Sequence, residues 1–141
     1  MAIAFVGGDK KVLNKDYVTA AQNLCDKTLV CWTGSAPAAA AGSIMGVVEK
    51  DTVSGAVATV KNGIGSILEV IATNTVTAGQ LVEAYVATIY ANINGTSTAV
   101  TTAAGVMNLS SGFPVGLALT SSDTGGTVLV NWGVFQKGAI A

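Results

Sequence analysis

Gly46–Val60 reads GVVEKDTVSGAVATV, and Gly116–Val130 reads GLALTSSDTGGTVLV. Each passes from a glycine through an apolar run to an Asp-Thr pair, a glycine-bearing turn and a Val-rich alternation. Alternation at period two puts successive side chains on opposite faces of a strand. Two such runs separated by Gly, Asp and Ser mark a β-hairpin. The phrase, used twice, predicts two hairpins, one near the start of a β-domain and one near its end. Asp51 and Asp123 are expected to open the turns through their side chains.

Working outward, turn chemistry punctuates the chain from Ile44 onward, at 51–55, 61–63, 94–95, 110–112 and 123–126. Short runs rich in Val, Ile, Thr and aromatics lie between. This spacing predicts an all-β fold, a small antiparallel β-barrel (β-tulip) or sandwich. The expected strands are 44–50, 56–61, 66–73, 80–90, 97–102, 114–120 and 127–135. In the last, Val128, Val130, Trp132 and Val134 share a wholly apolar face and should be core. Leu129, Asn131, Gly133 and Phe135 share the other, which makes Phe135 a candidate contact residue.

The stretch 77–93 carries two patterns. Thr77-Ala78-Gly79-Gln80 fits a helix capping box, and Val82, Tyr85, Val86 and Ile89 follow a helical stripe. Its β-branched content and Gly79 favour a strand instead. As a strand it is apolar on both faces, with Leu81, Tyr85 and Ile89 opposite Val82, Val86 and Tyr90. Burial on two sides makes Tyr85 a candidate contact with another subunit.

Residues 1–43 differ in character. They hold most of the lysines, both cysteines and the low-complexity run TGSAPAAAAGS at 33–43. The expectation is an extended N-terminal arm and loop over 1–43, followed by the β-domain at 44–141. Lys10 and Lys11, the one pair of adjacent lysines, and Trp32 are the arm's candidate contacts. Trp32 is equally readable as core or as an anchor against a neighbour.

The chain has 141 residues, which fits one domain with its own core. Only 11% of residues are charged while 50% are hydrophobic. A surface so poor in charge points to an assembly that covers much of it. Net charge is −1, arginine is absent and no basic stripe exists, so nucleic acid is not an expected partner. No apolar run approaches the length of a membrane helix, and the opening MAIAFVGGDKK lacks the pattern of a secretory leader. Cys25 and Cys31 are expected as small apolar residues in a reducing compartment.

Chemistry has few carriers. With no histidine, the commonest general base and metal ligand is missing, and Ser–His and Cys–His pairs are impossible. Glu49 and Asp51 form a carboxylate pair only if one strand extends through both. Asn62–Ser66, NGIGS, lacks the ending of a phosphate loop, and its Asn-Gly suits a hairpin turn. The expectation is a protein that is not an enzyme and needs no cofactor or metal. Trp32 and Trp132 also allow a glycan-stacking sandwich, although Trp132 falls on the core face.

The run GVVEKDTVSGAVATVKNGIGSILEVIATNTVTAGQLVEAYV, from Gly46 to Val86, with FPVGLALTSSDTGGTVLVNWGVF, from Phe113 to Phe135, resembles the small β-barrel or β-tulip cement proteins that decorate tailed-phage capsids. The resemblance covers about 44–135, and it lies in turns and strands, with no catalytic residues to carry over. It implies a homotrimer, or a dimer, that is made in the host cytoplasm and sits on the outer surface of the virion. There it would clamp neighbouring major capsid protein subunits, with no nucleic acid or membrane bound. A receptor- or glycan-binding module on a virion surface is the alternative.

Overall fold

The computed structural model describes residues 15–37, 43–93, 96–110 and 112–135, with side chains throughout except along 86–93 and 96–103. Among these residues there is no helix, and nine strands form: β1 Lys15–Thr19, β2 Leu29–Cys31, β3 Ile44–Val48, β4 Val57–Lys61, β5 Ile67–Ile71, β6 Leu81–Ile93, β7 Thr96–Asn108, β8 Pro114–Ala118 and β9 Thr127–Trp132. They make two antiparallel sheets, in the orders β1-β4-β3-β2 and β5-β9-β8-β6-β7. The protein is all-β. Seven strands fall where the period-two pattern places them, and 77–93 resolves as strand. Thr77–Gln80 is a tight turn, closed by the Gln80 N–H donating to the Thr77 carbonyl at 3.1 Å, not the start of a helix.

Two expectations need correction. Residues 15–31 are not an arm: β1 and β2 are integral to sheet one. The signal is weak because Lys15, Tyr17 and Thr19 point outward, leaving Val18, Ala20 and Leu24 as the apolar residues that face the core. Asn62-Gly63 is not a hairpin turn either. It belongs to the link between sheets, since β4 pairs with β1 and β3 while β5 pairs with β9.

The two quoted phrases are hairpins, β3–β4 in one sheet and β8–β9 in the other. Their likeness extends to the whole sheet. Moving β1–β2 forward by 52 residues (Lys15 to Ile67) and β3–β4 by 70 (Lys61 to Asn131) carries one set of pairings onto the other. Leu29–Val47 becomes Leu81–Leu117, and Val30–Gly46 becomes Val82–Gly116. Even the register shift after Val30 recurs after Val82. Leu24 and Thr52 exchange backbone hydrogen bonds of 2.8 and 2.9 Å, and Val76 and Ser122 do the same at 2.9 and 3.0 Å. Each unit is a Greek key, with three hairpin-linked strands and a fourth beside the last of them.

The repeat also reassigns the aspartates. Asp51 corresponds to Ser121, not to Asp123. The Asp51 carboxylate accepts the Asp26 N–H at 2.9 Å, and the Ser121 hydroxyl accepts the Ala78 N–H at 2.9 Å. Asp123 instead contributes its carbonyl to a turn with the Gly126 N–H, 3.1 Å away.

Each unit has its own buried apolar set, at matching places. Val30, Met45, Val48, Ala58 and Val60 in the first correspond to Val82, Val115, Ala118, Val128 and Val130 in the second. The second core is larger, adding Leu68, Ala84, Ala104, Val106 and Trp132. It also takes in Leu29 and Val47, two buried side chains from the first unit. That packing, with the Ile71 N–H donating to the Lys27 carbonyl at 2.9 Å, joins the units. At about 25 cal/mol per Å² of buried apolar surface, such side chains stabilise by roughly 1.5–3 kcal/mol each.

The units differ at one connection. Residues 32–43 link β2 to β3 in the first. In the second, 84–113 occupy that place and form the long β6–β7 hairpin. β6 pairs with β8 over Leu81–Glu83, while its pairing with β7 begins at Val82 and runs on to Ile93.

Candidate interaction surfaces

An apolar groove of about 260 Å³ opens where the link between sheets meets the end of β9. Trp132 ends β9 on the core-facing side and is buried, so its indole forms one wall. The turn Gly63–Ser66 is tied to it by two backbone hydrogen bonds, Gly65 N–H to the Trp132 carbonyl at 2.7 Å and Trp132 N–H to the Ser66 carbonyl at 2.9 Å. That places Ile64 on the rim, 81% exposed. Phe113 and Phe135, 65% and 57% exposed, stand on the same rim. Gly133, at a φ of 75°, swings the chain out of the strand before Phe135. Among the described residues the groove's lining is apolar apart from backbone groups, which suits packing against an apolar partner.

Phe113 is held in place by Glu83, one of few buried polar residues. Its carboxylate accepts the Ser110 N–H at 2.5 Å and the Gly112 N–H at 3.1 Å, which fixes the loop before β8. Hydrogen bonds to charged groups are the stronger kind, and a buried carboxylate needs them.

A second surface is the outward face of sheet two. The register lines up Ile67, Asn131, Leu117 and Leu81 across four strands. Leu109 continues the row, its N–H donating to the Leu81 carbonyl at 2.8 Å. Beside that row, Leu129 pairs with Glu69, and the Leu119 N–H donates to the Leu129 carbonyl at 2.7 Å. Ile67, Leu109, Leu119 and Leu129 are all exposed.

The residues singled out from sequence do not converge. Phe135 lies in the groove. Trp32 is exposed on a tight turn after β2, where the Gly34 N–H donates to the Cys31 carbonyl at 2.9 Å, so it is not core. Tyr85 is half-buried at the start of the β6–β7 hairpin, its carbonyl accepting the Thr73 hydroxyl at 2.6 Å. Lys10 and Lys11 lie outside the described residues. Trp132 is core, as its strand position requires. Ile64, Phe113 and the leucines of sheet two were not singled out. Only the period-two rule for 127–135 pointed toward Leu129.

Glu49 and Asp51 do not form a pair, because β3 ends at Val48. Glu49 turns to Lys15, 2.9 Å away across the outward face of sheet one. The hydrogen bond to Lys15 holds the Glu49 carboxyl below its ordinary value, and the same bond raises the Lys15 ammonium. Both cysteines are free, Cys31 buried and Cys25 half-buried. Burial pushes the Cys25 thiol up, with Asp51 and Asp26 adding to it, so it is a poor nucleophile at neutral pH. Among the described residues no three His, Cys, Asp or Glu side chains gather as a metal site would require.

Comparison with protein-family models and with curated proteins finds no match to this chain.

Proposed function

We propose that the protein is a structural component of a phage virion, a cement protein that binds the outer capsid surface. The observation that carries the reading is the groove with Ile64, Phe113 and Phe135 on its rim, exposed in a chain only 11% charged. A monomer rarely leaves such apolar surface open without a partner. The major capsid protein is the partner proposed, with the groove receiving an apolar side chain at the seam between neighbouring subunits. The protein acts as a small homo-oligomer, a trimer or a dimer, so that several weak contacts add through effective concentration. No cofactor, nucleic acid or membrane enters, and it works on the virion after synthesis in the host cytoplasm.

The test adds purified protein to capsids lacking it. The expected result is ordered density on the capsid surface by electron microscopy and a higher temperature of capsid disruption. Ile64→Lys should weaken both effects. Capsids that neither bind the protein nor gain stability would refute the reading. The exposed Trp32 supports a second one, a glycan-binding module, for which a glycan array should give hits that Trp32→Ala abolishes.

A further inference from the structure

The edge of a sheet presents unpaired backbone N–H and C=O groups, and proteins protect such edges with charge, proline or shortness. Among the described residues, three of the four sheet margins follow that rule. β1, at one margin of sheet one, carries Lys15 and Asp16, and β2, at the other, is three residues long. β5, at one margin of sheet two, carries Glu69. β7, at the remaining margin, is thirteen residues long and has neither a charged residue nor a proline anywhere along it.

One end of that edge is used within the chain. Val106 bridges Ala72, its carbonyl accepts the Thr73 N–H at 3.1 Å, and the Asn108 N–H donates to the Thr75 carbonyl at 3.1 Å. The other end is not. From Thr96 to Ala103, β7 pairs with β6 and with no other strand among the described residues. β6 parts from β8 at Glu83, so beyond that point sheet two narrows to a two-stranded ribbon. Two strands alone are marginal in water, and a third is needed to hold them. A register shift lies near the base of the ribbon, between Ala87 and Ile89, and past it the pairing is regular from Ile89–Val100 to Ile93–Thr96. Thr96–Val100 is thus an even edge of ordinary strand length.

We infer that Thr96–Val100 pairs antiparallel, about a two-fold axis, with the same strand of a second copy of this chain, so that two ribbons become one four-stranded sheet. Composition selects the occupant. A strand that adds to a different protein can choose it through opposite charges. A strand that pairs with its own copy sets like against like, and like charges directly opposite destabilise, so charge is excluded. From Val86 to Ala103 there is none, in a chain with seven lysines and eight carboxylates. A two-fold pairing over Thr96–Val100 sets Thr98 opposite the Thr98 of the second copy, and Thr–Thr is a favourable cross-strand pair. The inference deepens the homo-oligomer of the proposed function by choosing the dimer. It rests on that reading for its use on a virion, but the pairing itself needs no capsid.

The experiment measures solution mass by light scattering at about 100 µM. Wild type should run at twice the 14.0 kDa of one chain. Replacing 87–103 with Asn-Gly closes the hairpin by a two-residue turn at the Val86–Ala104 pair and keeps the core residues Ala84, Ala104 and Val106. That variant should be a folded monomer, with circular dichroism and a melt as the check on folding. Thr98→Lys and Thr98→Glu should each weaken association by about tenfold or more, and an equimolar mixture of the two should restore the dimer. The mixture decides the matter if the shortened chain does not fold. The groove variant Ile64→Lys should keep the wild-type mass. A monomeric wild type, a folded shortened variant that keeps the full mass, or a mixture no heavier than its parts overturns the inference. A monomeric wild type that still binds capsids overturns the pairing alone. A dimer that responds to these variants as stated but does not bind capsids overturns the cement reading alone.

Discussion

Replacing Gly46 or Gly116 with alanine should cost nearly the same stability, although the residues are in different sheets. A methyl at Gly46 would run into the Lys61 carbonyl oxygen and come within 2.7 Å of Val60 Cγ1. At Gly116 it would meet the Asn131 carbonyl oxygen and again lie 2.7 Å from a valine Cγ1, that of Val130. The obstacle in each case is strand backbone, which cannot rotate aside as a side chain can. The expected loss is about 3 kcal/mol, at the upper end for overpacking. For a chain this size that is about 10 °C in melting temperature. Gly55→Ala separates crowding from backbone conformation: a methyl there meets nothing within 4 Å, but φ is +89°. Its loss should be smaller, about 1–2 kcal/mol. Urea unfolding followed by tryptophan fluorescence measures all three. A loss under about 1 kcal/mol at either Gly46 or Gly116, or Gly55→Ala costing as much as they do, would refute close approach as the reason for these glycines.

Three further outcomes are expected. Glu83→Ala removes the acceptor for the Ser110 and Gly112 N–H groups; it should cost about 2–3 kcal/mol and speed hydrogen exchange at both amides. Lys27 sits at a φ of 64°, where the second unit has Gly79 at 87°. Lys27→Gly should therefore raise stability, by about 0.5–1 kcal/mol once the added freedom of the unfolded chain is subtracted, read as a higher urea midpoint. The Lys15–Glu49 pair bears on pH. The Glu49 carboxyl lies low, so its contribution is present above the ordinary carboxylate range and fades as pH falls through the lowered value. The Lys15 ammonium lies high, so its contribution is present below the ordinary lysine value and fades as pH rises through the raised one. Melts of wild type and Glu49→Gln should converge at both extremes and differ slightly between them.

Strands β4, β5 and β9 are legible in sequence because each buries one face, and period-two alternation records that directly. The first two strands are not. Tyr17 and Thr19 face water on β1, and β2 is three buried residues long, LVC, with no alternation to see. The repeat is hidden for a different reason. Identical residues at equivalent places are few, such as Val18 and Val70, Ala20 and Ala72, and Gly55 and Gly125. The spacing also changes from 52 to 70 within the repeat, so no single shift aligns the halves. A comparison of the two phrases alone pairs Asp51 with Asp123, and the backbone pairing shows that match to be two residues out. For the groove, Trp132 follows from the alternation of β9, whereas Phe135 lies past the strand's end, where Gly133 at a φ of 75° brings it to the same groove as Trp132. Ile64 and Phe113 sit in turns, where no periodicity says which way a side chain points.

The register shift after Val30 and again after Val82 marks the place where the chain parts from its β3 or β8 partner in both units. At that exit one unit spends twelve residues, 32–43, and the other thirty, 84–113, before returning to the same pairing. In the first unit the start of that link is tied to the framework, with the Ala21 N–H donating to the Gly34 carbonyl at 2.9 Å and Ala36 packed on the core. A peptide of foreign sequence inserted after Pro37, past those contacts, and up to the length the second half already carries, should leave both keys intact. The molecule thus has a ready position for display, and its own long hairpin shows the load the position can carry.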